Sequence, residues 1–200
     1  KLMTSWNKKE IALAITEPGS MDLVNNTYAL IRTENTGDAI QSLEKIQIAV
    51  GKNKGNEKYR SHTISNFSLN SIVPLFYGNI FIDIEQSYYT TVRDFVVFAN
   101  SPSILKSLID DFEDKKLLEN ESDFISHKNN SILNGQLNLY FNFQRGTNIL
   151  RSISNEDISM KLINDGIIKK SVQSLAISGS AKNGMTSSTG RIDFSGKIKK

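Results

Sequence analysis

The chain has 200 residues and a mass of 22.4 kDa, enough on surface scaling to bury on the order of 70% of its unfolded surface without a disulfide or metal staple. It contains no cysteine, which excludes thiol catalysis, thiolate zinc sites and a disulfide framework together. Twenty-four basic residues against 21 acidic ones give a net charge of +3, and Lys1, Lys8, Lys9, Lys197, Lys199 and Lys200 hold much of it at the two ends, so the charge does not describe a nucleic-acid groove.

Residues 10–16 (EIALAIT) read as a strand closed by the turn dipeptide Pro18-Gly19. A second strand covers 27–33, and Thr36 or Asp38 caps a helix over 38–50 that Gly51 ends in the left-handed conformation. Residues 52–58, rich in Gly, Asn and Lys, read as a solvated loop before a strand over 59–69. The dense apolar stretch 71–84 (SIVPLFYGNIFIDI) is broken by Pro74 and Gly78, which predicts a short turn of helix followed by an extended piece. Residues 88–92 and 95–99 form a hairpin around Arg93-Asp94, although that pair lacks the glycine a primed two-residue turn prefers.

Asn100-Ser101-Pro102 then starts a helix running to about Asp114. Asp110, Asp111, Glu113 and Asp114 crowd the end of that helix, where the macrodipole disfavours them, and Lys115 and Lys116 offset part of the charge. A loop and short helix over 117–128 lead to a strand over 137–143 and a helix over 148–162, with a break near Ser154-Asn155 and a stop at Gly166. The chain closes on a hairpin of 174–180 against 187–194, with Lys182-Asn183-Gly184 at its tip and one wet face.

Three segments share one pattern, an extended apolar run, a polar turn and a helix with apolar residues at i, i+1 and i+4: 28–46, 95–112 and 137–153. Repeated strand-turn-helix units and hairpins predict an α+β fold with a twisted, mainly antiparallel sheet and helices packed on one face. We expect a single domain over 1–200, with a sub-boundary near 115–135. The start at Lys-Leu-Met, without a signal sequence, reads as a piece of a longer protein.

Catalytic patterns are scarce. His62 and His127 are the only imidazoles, both read as structural or surface histidines, and neither a Gly-x-Ser-x-Gly elbow nor an HExxH zinc spacing is present. The acids at 110–114 fan around a helix instead of converging on a cation. No phosphate-cradling glycine motif occurs. Tyr88, Tyr89 and Arg93, or Tyr140, Phe141, Phe143 and Arg145, satisfy ordinary strand alternation, so nucleic acid is not expected as a partner. No metal or cofactor is expected, no run is long and apolar enough to span a bilayer, and a monomer is favoured. An alternative is a hydrolase using carboxylates alone, Glu85 or Asp94 with Asp110 or Asp123, which needs two carboxyl groups about 5 to 9 Å apart. A further alternative is capture of a protein or peptide at 72–84 through Leu75, Phe76, Tyr77, Ile80 and Phe81, because the breakers keep these side chains from all being buried in regular structure.

Residues 95–112 (FVVFANSPSILKSLIDDF), the following 117–124 stretch and the 137–141 strand resemble a Bacteroidetes-type bacterial family described as a domain of unknown function. Ser101, Pro102, Leu105, Ile109, Asp110 and Phe124 carry the likeness, which covers about half the chain. The resemblance implies an extracytoplasmic protein of the periplasm or cell envelope, tethered as a lipoprotein or by a membrane helix outside this chain, with no known catalysis. The expected function is a non-enzymatic binding or scaffold domain.

Overall fold

The computed structural model describes residues 3, 5–16, 26–50, 54–130, 133–153 and 171–194. Contacts divide the chain into two compact units, Lys1–Asp114 and Lys115–Lys200.

The first unit is built on a six-stranded antiparallel sheet. Its strands are β1 (Asn7–Ile15), β2 (Thr27–Thr33), β3 (Lys54–Tyr59), β4 (His62–Asn66), β5 (Tyr88–Val92) and β6 (Phe95–Ala99), in the spatial order β1-β2-β6-β5-β4-β3. The centre belongs to β2 and β6, whose near-continuous apolar runs bury both faces of the ribbon. Ala29 pairs with Phe98 and Ile31 with Val96, while Leu30 pairs with Val97 on the opposite face.

Each face carries its own core. Ala29, Ile31, Tyr89, Val96 and Phe98 meet Ala39 and Leu43 of α1 (Thr36–Ala49), Ile72 and Val73 of α2 (Ile72–Tyr77), and Phe67, Phe81 and Ile84. On the other side Tyr28, Ile64, Val97 and Ala99 meet Ile104, Leu105 and Ile109 of α3 (Pro102–Glu113). Each Val, Leu, Ile or Phe side chain among them contributes about 1.5–3 kcal/mol on burial. The fold is α+β and antiparallel as expected, but helices cover both faces of this sheet and not one. The reason is the double-sided apolarity of β2 and β6: whichever face α1 covers, a second row of Val, Ala and Tyr remains for α3. A strand feeds a helix at β2–α1 and again at β6–α3, and the two helices lie on opposite faces.

Local signals explain most boundaries. Asn35, not Thr36 or Asp38, caps α1, its side chain accepting the Gly37 N–H at 2.8 Å. Ser101 caps α3 through the Ile104 N–H, with Pro102 in the first turn. The stretch expected to be a loop at 52–58 contains β3, and the strand expected over 59–69 is split by a turn at Arg60-Ser61 before β4. β3 is an edge strand in which Gly55 and the Asn56, Glu57 and Lys58 side chains are exposed, so it lacks the alternation that marks a half-buried strand.

The second unit holds a three-stranded antiparallel sheet, β7 (Leu137–Asn142), β8 (Val172–Lys182) and β9 (Met185–Phe194), in that order, with α4 (Ser122–Asn129) and α5 (Thr147–Ile153). Ser174, Ala176 and Ser178 of β8 are buried, and the buried His127 of α4 reaches Ser174. The β8–β9 hairpin turns on Asn183 and Gly184, both with positive φ (53° and 76°), as its Asn-Gly dipeptide requires. The expected Pro18-Gly19 turn, the Gly51 helix end, the break near 154–155 and the Gly166 stop lie outside the described residues.

Candidate docking surface

Between β4 and β5 the chain makes a compact excursion closed at its neck by two backbone hydrogen bonds. Phe67 N–H donates to Ser87 O at 2.8 Å and Ser71 N–H to Glu85 O at 2.6 Å. Inside the excursion α2 is followed by a 3₁₀ turn, Asn79–Phe81, where an extended piece was expected. Pro74 fits in α2 because it lies in the first turn, where its missing N–H has no intrahelical partner. Gly78 joins the two elements at φ 101°, ψ 169°, a conformation open essentially to glycine alone.

Hydrogen bonds to neighbouring segments lock the excursion down. The Tyr77 hydroxyl donates to Met3 O at 2.7 Å, and Asn100 Nδ2 donates to Asp83 O at 2.6 Å. Asn100 Oδ1 in turn accepts the Gln86 N–H at 2.9 Å. Burial pushes the Tyr77 phenol far above its ordinary range, so the group stays a neutral donor. Ile72, Val73, Phe81 and Ile84 are buried in the core.

That anchoring divides the five apolar residues singled out in the sequence. Leu75 is 75% exposed, Phe76 42% and Ile80 60%, with Ile82 beside them at 60%, whereas Phe81 is 1% exposed in the core and Tyr77 is half-buried. Ile82 was missed because three consecutive apolar residues, Ile80, Phe81 and Ile82, carry no local mark of which one enters the core, and here it is Phe81. The result is an apolar ridge of four side chains on a backbone fixed from beneath. Next in the chain come the exposed carboxylates of Asp83 and Glu85, neither with an ion-pair partner among the described residues.

The other candidate groups are engaged structurally. His62 Nδ1 donates to Thr91 O at 2.9 Å, and its Nε2 lies 3.4 Å from Glu113 Oε1. His127 Nε2 faces both Ser174 Oγ at 2.8 Å and Asp193 Oδ2 at 3.2 Å, while its Nδ1 has no partner. A nucleophile-base-carboxylate relay needs the serine and the acid on opposite ring nitrogens. Of the four carboxylates weighed for hydrolysis, Asp94 is paired with Arg32 at 2.7 Å, and that guanidinium holds it below the ordinary carboxylate range, opposite to what a general acid needs. Asp110 is held by Arg60 and Tyr59, Glu85 is exposed, and Asp123 belongs to the second unit, where it accepts from Gln173 Nε2 at 2.6 Å. Among the described residues no three His, Asp or Glu groups are placed to hold a metal ion, and no helix is long and apolar enough to cross a membrane.

In the second unit, Leu137, Leu139, Ile177, Ile192 and Phe194 also face solvent from one side of the sheet. Strand alternation gives inward and outward rows the same sequence signature, so the exposed one was not legible. Comparison of the chain with family models, curated proteins and solved structures finds no match.

Proposed function

We propose that this chain is a non-enzymatic binding module that presents the ridge of Leu75, Phe76, Ile80 and Ile82 to a protein partner. The observation that carries this reading is the combination of high exposure with a pinned backbone. Large apolar side chains grouped on a surface mark interaction sites, and a surface already rigid before contact loses less entropy on docking. The family resemblance supports a setting in the bacterial periplasm or cell envelope, tethered by a segment outside this chain.

A display library of small folded domains with one randomised face, panned on the intact protein, tests the reading. We expect binders that lose affinity for the Leu75→Ser/Ile80→Ser variant, whose substituted positions are exposed and leave the core intact. Binders indifferent to that variant, or no binders, overturn it. Turnover of an ester, phosphoester or glycoside that is abolished by His62→Ala or His127→Ala overturns the non-enzymatic part.

A further inference from the structure

Resting on that reading, the charge around the ridge defines what kind of surface fits it. Between Arg60 and Arg93 the chain has no lysine or arginine, in a protein that carries 24 of them. The only carboxylates in that interval, Asp83 and Glu85, follow Ile82 directly in the chain and are exposed, without an ion-pair partner among the described residues. Elsewhere in the first unit Glu10 and Asp94 pair with Arg32, Glu57 with Lys106 and Asp110 with Arg60, while Glu34, Asp38 and Glu44 are exposed as Asp83 and Glu85 are.

We infer that the partner is a protein whose apolar groove is rimmed by lysine or arginine. Side chains exposed by 60% and 75% at Ile80, Ile82 and Leu75 project outward, so shape complementarity asks for a concave apolar surface opposite them. The two carboxylates then meet the rim, where charges set register and association rate and where like charges are penalised. A membrane is disfavoured by the same feature. Helices that lie on anionic bilayers carry Lys and Arg beside their apolar face, and here the flanking charge is negative.

Rim-charge reversal in the selected domains provides the test. We expect ridge-dependent binders to be enriched in Lys and Arg around their apolar groove and to weaken as salt rises. Replacing those rim residues by Glu should cost roughly tenfold or more in affinity for the wild-type chain, and Asp83→Lys/Glu85→Lys should restore it. Binders that need Leu75 and Ile80 but show neutral or acidic rims, or no recovery in the swap, overturn the charge assignment while leaving the ridge reading standing. Loss of dependence on Leu75 and Ile80 overturns both. Sedimentation of the protein with vesicles of phosphatidylcholine and phosphatidylglycerol, reversed by Leu75→Ser/Ile80→Ser, would make the occupant a membrane and overturn the inference.

Discussion

Arg60 places Nη2 2.6 Å from Asp110 Oδ1, clamping the β3–β4 hairpin to the end of α3. Tyr59 donates its hydroxyl to the same carboxylate at 2.9 Å. Lys106 and Glu57 make a parallel tie at 2.5 Å, and Ser61 and His62 reach Glu113. Two of the four carboxylates that crowd the end of α3 against its dipole, Asp110 and Glu113, are therefore engaged by the hairpin.

That clamp sets a first expectation. Asp110→Ala removes a partly exposed ion pair, worth about 0.2–1 kcal/mol, and a hydrogen bond worth about 1 kcal/mol. Urea unfolding should show a loss of about 1–2 kcal/mol, with Asp110→Asn milder because its amide oxygen still accepts from Tyr59. Equal losses for the two variants would mean that the charge alone matters.

Phe81 and Leu75 lie six residues apart and should respond oppositely. Phe81 is fully buried, so Phe81→Ala should cost about 3–5 kcal/mol through lost transfer energy and the cavity left behind. Leu75→Ala, at a surface position, should stay within about 0.5 kcal/mol. Denaturant midpoints of the two variants decide the point, and a large cost at Leu75 would mean that its side chain is covered.

How far the sequence revealed this architecture depended on whether each signal was local. Ser101-Pro102 and Asn183-Gly184 announce a helix start and a hairpin tip by themselves, and both occur where expected. Arg60 and Arg93 also adopt positive φ, 50° and 49°, at their hairpin turns, and nothing local marks arginine for that role. Arg93 instead has tertiary support, its guanidinium lying 5.2 Å from the centre of the Phe112 ring. The ridge was legible as a segment, because Gly78 does interrupt regular structure within a dense apolar run, but its inward and outward residues were not. They follow from a 3₁₀ turn whose direction is set by Phe81 entering the core.

Gly78 offers a test of how the ridge is held. Open space surrounds the position a β-carbon would take, so Gly78→Ala meets no clash and its cost is the backbone conformation alone. We expect a loss of about 1–3 kcal/mol, or a shift of the 3₁₀ turn that rearranges Ile80 and Ile82. Unfolding measurements together with amide chemical shifts over 75–85 report either result; an unchanged protein would mean that the conformation is not required.

Arg32 bridges Glu10 and Asp94, each at 2.7 Å, and this ties β1 and the β5–β6 turn to β2. The folded state holds the Asp94 pKa below its unfolded value of about 3.9. The sign follows: the contribution is present above about pH 4 and is lost as the pH falls through the depressed folded value. Carboxyl NMR titration should place the Asp94 midpoint below that of a free aspartate, and Arg32→Gln should move it upward. An unmoved midpoint would show that the guanidinium does not set it.

His127 is fully buried, and its Nε2 serves both Ser174 and Asp193. Removing the ring leaves two buried or half-buried oxygens without their donor, at about 1–3 kcal/mol, in addition to a cavity against Tyr140, whose ring stands edge-on to the imidazole at 5.8 Å. His127→Ala should therefore accelerate hydrogen exchange in β8 and β9 while leaving β2 and β6 unchanged, since these strands belong to separate compact units. His127→Gln, whose Nε2 can take the place of the imidazole donor, should recover most of the protection. If alanine and glutamine behave alike, ring packing and not the hydrogen bond is what His127 supplies.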